Sequence, residues 1–182
     1  SRFPGLQPSD DLAGVYEPDA GSLNPEACVA AHLRGASDRG ATLQFGERVH
    51  DWSFDGDGVR VVTDQGTYVG DRLVLTPGAW APQLLAGLGL PLEVWRTFVV
   101  HFSPFDAAAY APTTCPVYIW EVPEGVYYGF PALPGQGVKV GRHDTGEVTT
   151  ADTVRREITD EDITMIRTFV ERYMPGAAGP VD

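Results

Sequence analysis

YYGFPALPGQGVKVGRH, residues 127–143, reads as an aromatic strand, a glycine-containing turn and a second strand, and the fold and the chemistry are built outward from it. Side chains alternate faces along a strand and each residue rises about 3.3 Å, so Lys139, Gly141 and His143 share one face with the Lys and His roughly 13 Å apart. Val138 and Val140 then point the other way, toward a core. A glycine inside a strand marks a place where a ligand or another backbone comes close, and a flat ring could rest over Gly141. Tyr127, Tyr128 and Phe130 on the preceding strand favour a cavity on the hairpin, because so much aromatic area is costly to leave in water. The same pattern also fits an ordinary amphipathic hairpin with a surface Lys and a surface His, and spacing alone leaves both open.

On either side of this hairpin the texture differs. Asn24, Pro25 and Glu26 form a helix start, with a capping side chain, a proline in the first turn and an acid near the positive end of the dipole, and Gly40 supplies a stop. Short apolar runs around Leu43 and over residues 49–54, 59–63, 67–69 and 73–76 alternate with turn residues, and the strings 55–58 (DGDG) and 64–66 (DQG) read as tight connections of a small antiparallel meander. A short helix is expected over residues 82–88. Beyond Pro91, residues 92–102 read as one long strand and 117–121 as another, so the second half is an antiparallel sheet. Thr159 and Asp162 stand at capping-box spacing, and Ile163, Ile166, Phe169, Val170 and Tyr173 recur at helical spacing as the buried face of a closing helix ended by Pro175 and Gly176.

Composition excludes several functions. With 182 residues the chain can bury a real core, and 13 Lys and Arg against 25 Asp and Glu give a net charge of −12, which argues against nucleic acid or an anionic membrane as partner. No apolar run approaches the roughly 20 residues that cross a bilayer, and a cytoplasmic location is expected. Cys28 and Cys115 lack metal-ligand or disulfide spacing and read as small packing residues, and no metal site is expected. Gly135 and Gly137 form a GxG, but a strand follows it, so no helix N-terminus is there to take a phosphate. No GxSxG, Walker loop or HExxH is present.

Six blocks then point to a family: RFPG (2–5), VYEPDAG (15–21), PGAW (77–80), VPEGVYYGFP (122–131), VKVGRH (138–143) and RYMPGA (172–177). In this order they resemble the monomeric sarcosine oxidase and N-methyltryptophan oxidase family, flavin-dependent oxidases of secondary amines in the D-amino-acid oxidase superfamily. The resemblance implies an α+β fold: residues 1–90 as the middle portion of an FAD-binding domain, joined to residues 91–182 as the antiparallel or mixed sheet of the substrate domain with flanking helices. It implies that the chain is the central piece of a longer enzyme, with the glycine fingerprint for FAD before Ser1 and the flavin-attaching cysteine after Asp182. The piece alone is expected to be inactive, to lack FAD, and to dimerise through the surface left bare.

The resemblance also implies roles. Lys139 matches the lysine near flavin N5 that promotes reaction of reduced flavin with oxygen, where a fixed positive charge would stabilise the developing superoxide anion. His143 matches the histidine beside the substrate amine, and Tyr128 the tyrosine that walls the substrate pocket. Val49 matches a position whose backbone contacts the adenine end of FAD, and Gly78, Ala79 and Trp80 match a loop close to the cofactor. Arg142 is expected to face away from the flavin ring. The implied partners of the parent enzyme are a small secondary-amine substrate and O2, giving demethylated amine, formaldehyde and H2O2. Sarcosine is the default substrate and N-methyltryptophan or another amine the alternative, and a noncatalytic sheet module that binds a protein partner is the rival from another class.

Overall fold

The computed structural model describes residues 2–144 and 146–182. The chain divides into two compact units that are not two halves of the sequence. One comprises Ser1–Ser22, Trp95–Glu147 and Arg155–Asp182, and the other Leu23–Val94 and Val148–Val154.

In the first unit the sheet contains β5 (Val99–Phe102), β6 (Tyr118–Val122), β7 (Gly125–Phe130) and β8 (Val138–Arg142), antiparallel throughout in the order β5-β8-β7-β6. The 127–143 hairpin supplies its two central strands, with Tyr128 opposite Gly141 and Phe130 opposite Lys139. Alternation works as expected: Val138 and Val140 are fully buried, together with Val100 and Phe102 from β5. The helix α3 (Asp160–Tyr173) joins them in one core through Ile166, Phe169, Val170 and Tyr173, with Ile163 packed at its edge. Its capping box is complete, since the Thr159 hydroxyl accepts from the Asp162 N–H while the Asp162 carboxylate accepts from the Thr159 N–H. Pro175–Ala177 form a 3-10 turn that ends it.

The expected long strand over 92–102 is instead two short ones, β4 (Val94–Arg96) and β5, parted at Thr97 and Phe98. They take different partners, β4 pairing with β9 (Glu147–Thr149) and β5 with β8. The break falls where the chain passes from one sheet to the other, and just before it the buried Arg96 guanidinium donates to the carbonyls of Arg155 and Glu157 at 2.7 and 2.8 Å and to the Asp162 carboxylate at 3.0 Å. Cys115 is buried in this unit, and burial pushes its thiol up to about 11.

The second unit carries α1 (Pro25–Ser37), capped by the Asn24 side chain on the Ala27 N–H at 2.8 Å, followed by the antiparallel meander β1 (Val49–Asp55), β2 (Gly58–Thr63) and β3 (Thr67–Gly70). The expected helix over 82–88 is subdivided: a 3-10 turn at Gly78–Trp80 leads into α2 (Ala81–Leu84), and a second 3-10 turn at Ala86–Leu88 follows. The runs at Leu43 and 73–76 are not strands, and their backbone groups join no ladder among the described residues. Cys28 is half-buried on α1.

Candidate functional site

Two faces of the four-stranded sheet differ in kind. Toward α3 it presents Val100, Phe102, Val138, Val140, Tyr118 and Tyr127, and this face is closed. The other face carries two cross-strand rows set by register. His101, Lys139 and Phe130 lie side by side across β5, β8 and β7, and Val99, Gly141, Tyr128 and Ile119 form the next row. Most of these side chains are half-buried, while Ile119 at the sheet edge is exposed.

Lys139 is held at both ends. Its carbonyl accepts from the Tyr118 hydroxyl at 3.2 Å, and its ammonium stands 4.9 Å from the centroid of the Phe130 ring, a cation–π contact. Among the described residues it makes no ion pair, although eight such pairs are formed elsewhere. An uncompensated ammonium on a half-apolar face is costly unless something negative or electron-rich meets it.

Gly141 is a correction in detail. The sequence suggested room there for a ligand's ring, and the ring that crosses it belongs to Tyr128: a Cβ at Gly141 would come within 2.9 Å of Cε1 and Cζ of that phenol. The glycine is needed so that the tyrosine can lie flat across the strand. His143 follows one residue after β8, where its N–H still continues the ladder to the Val126 carbonyl at 2.7 Å. Its imidazole is exposed and meets the Tyr128 ring nearly perpendicular, 6.0 Å between centroids at 87°. Lys139, Tyr128 and His143 are thus gathered on one face by two adjacent strands.

Arg142 points the other way, as alternation requires. Its guanidinium lies 5.7 Å from the Tyr127 centroid, and Tyr127 stacks on Phe169 of α3 at 4.0 Å and 7°. Its Nε donates to Asp144 at 2.8 Å, and this hydrogen bond holds the Asp144 carboxyl below the usual carboxylate range. Burial, in contrast, raises Tyr127 above its ordinary value.

The remaining sequence-predicted residues belong to the second unit. Val49 opens β1 opposite Thr63 and is half-buried. Gly78, Ala79 and Trp80 form an exposed turn, from which the Trp80 indole donates to Asp152 at 3.3 Å. Asp152 also pairs with Arg48 at 3.0 Å, so the turn is linked to the residue just before Val49. Sequence reasoning missed His101, Phe130 as the ring beneath Lys139, and the Arg142–Asp144 pair. Alternation along VVHF (99–102) and the i, i+2 spacing of Arg142 and Asp144 were the signals that could have found them.

No helix among the described residues is long and apolar enough to cross a membrane, and no group of three or more metal-binding side chains is found among them.

The chain is 42% identical to monomeric sarcosine oxidase of Streptomyces avermitilis over 98% of its own length and 47% of that enzyme's. It is 28% identical to N-methyl-L-tryptophan oxidase of Salmonella enteritidis over 98% of its length and 48% of the relative's. The chain therefore spans about half the length of the curated relatives it matches. Glycine oxidase from Geobacillus kaustophilus superposes with a TM-score of 0.67 at 23% identity, covering 95% of this chain and 43% of that one, a likeness of fold. The family model for FAD dependent oxidoreductases, DAO, matches residues 1–182, and the chain belongs to this family.

Proposed function

We propose that the whole protein is an FAD-dependent oxidase of secondary amino acids, converting a sarcosine-like substrate, O2 and water into the demethylated amine, formaldehyde and H2O2. FAD, when bound, would accept a hydride from the amine and deliver electrons to oxygen. The observation that carries this reading is Lys139: a half-buried ammonium without an ion-pair partner among the described residues, held over Phe130 on the open face of the sheet. That face suits a flat, electron-rich group, because its rows are apolar or aromatic and its one fixed charge is positive. Lys139 would stabilise the negative charge that develops on oxygen, and a preorganised ammonium does so without reorganisation. Tyr128 and His143, touching edge to face, would wall and orient the amine. Val49, Gly78, Ala79 and Trp80 would contact the cofactor, a role that rests on the family resemblance. Sarcosine is the leading substrate, with N-methyltryptophan the alternative.

The test is peroxide formation and anaerobic flavin reduction by the full-length protein with sarcosine and N-methyltryptophan in parallel. Flavin that stays oxidised with every secondary amine would sink the proposal. Lys139→Met should slow reoxidation by O2 roughly a hundredfold while reduction by substrate changes far less. Equal slowing of both half-reactions would remove Lys139 from the oxygen step.

A further inference from the structure

We propose that the Arg142–Asp144 ion pair is a bracket that positions His143 against Tyr128. The inference rests on the reading of His143 as a substrate-side residue and assigns two positioning residues to it.

His143 lies past the end of β8, where an exposed side chain would ordinarily sample several rotamers. Arg142 closes β8 with its side chain turned away from the open face, and Asp144, in the bend that follows the strand, reaches its guanidinium there. Their contact, Nε to Oδ1 at 2.8 Å, joins the residue before His143 to the residue after it. The His143 N–H bond to the Val126 carbonyl at 2.7 Å fixes the backbone between them.

The bracket is anchored to the core. The guanidinium lies against Tyr127, which stacks on Phe169, and its Nη1 approaches the Met165 sulfur at 3.8 Å. Gly125 leaves it the room: a Cβ there would stand 2.7 Å from Nε. A path of packed groups thus runs from α3 through Tyr127 and Arg142 to Asp144, and it holds the imidazole from behind while leaving the open face clear. The visible result is the perpendicular Tyr128–His143 contact at 6.0 Å.

The experiment is Asp144→Ala in the full-length holoprotein, read in two ways. The first is the effect of the Tyr128 ring on the NMR shifts of the His143 ring protons, taken as the difference from Tyr128→Leu. The second is the split between KM and kcat for the amine. The expected result is loss of the Tyr128-dependent shift together with a KM raised roughly tenfold and a kcat changed far less, because a loosened contact group removes binding more than chemistry. Asp144→Asn, which keeps an acceptor oxygen for Arg142 but no charge, should fall between. Retention of the ring-proton shift in Asp144→Ala overturns the bracket. Loss of the shift with an unchanged KM leaves the bracket standing and overturns the substrate-side reading of His143.

Discussion

The unit that contains the 127–143 hairpin and the unit that contains the meander differ in what holds them. In the first, Phe102, Val138, Val140, Ile166 and Val170 are fully buried in one cluster around the sheet and α3. In the second, Val59 is the only buried residue among those described, and Leu23, Val29, Phe54, Val69 and Val74 stand exposed. It nonetheless has a capped α1 and paired β1–β2 and β2–β3 ladders, the first with a register shift between Val49 and Asp51. Hydrogen bonds and caps shape both units, but apolar burial, the dominant favourable term in folding, is concentrated in one. The candidate site residues Lys139, Tyr128 and His143 are carried by the unit with the core, where a rigid sheet can hold them in place.

The comparison breaks most easily at the aromatic stack. Phe169 is 2% exposed between Tyr127, Trp120 and Tyr173, and Phe169→Ala should cost about 4 kcal/mol in urea denaturation. Phe54, 80% exposed and touching the Trp52 ring at 6.0 Å, should cost under about 1 kcal/mol when cut to Ala. Equal losses would show that the two units share one stability.

A smaller effect separates polar from apolar contributions within the first unit. Arg96→Met strands the Arg155 carbonyl and leaves the Glu157 carbonyl and Asp162 with Arg155 as their remaining guanidinium partner, a loss of about 3 kcal/mol. The same cluster sets an acid limit. Burial pushes the Asp162 carboxyl up, but hydrogen bonds from the Thr159 N–H, Arg96 and Arg155 outweigh it, so the group lies below its ordinary value. A depressed folded value means that this contribution is present above the unfolded carboxylate value of about 3.9 and is lost as pH falls through the folded one. Stability measured from pH 6 downward should therefore fall below about pH 4, and Asp162→Asn should remove part of that slope. An unchanged slope in the variant would take the cluster out of the acid response.

Legibility in the sequence follows the range of the interaction concerned. The hairpin, its two buried valines and the Thr159–Asp162 capping box were readable because alternation and cap spacing are local. The shared face of Lys139 and His143 was readable for the same reason, while the face that Tyr128 takes on the neighbouring strand comes from the register. The break between β4 and β5 was not readable, since the run of β-formers is continuous and the two strands take partners distant in sequence, β9 and β8. Gly141 was misread in detail because a glycine announces a close approach without saying by what, and here the neighbour is Tyr128 on the facing strand. Sparse burial in the second unit was also invisible, since runs such as 73–76 look like strands whether or not a partner covers them.

The smallest effect tests whether the two units answer to each other at all. α1 has 13 residues, none of them fully buried, and the Asn24 side chain caps its first turn. Asn24→Ala removes the acceptor for the Ala27 N–H and should cost about 1 kcal/mol. Because no core depends on this helix, the loss should appear as faster amide exchange at Ala27 and Cys28, roughly fivefold, with protection of Val140 unchanged. A matching drop at Val140 would mean that α1 opens only when the buried sheet opens. The exposed face of α1 would then contribute to a single cooperative structure, and the contrast between a core-bearing unit and a ladder-and-cap unit would fail at its weakest element.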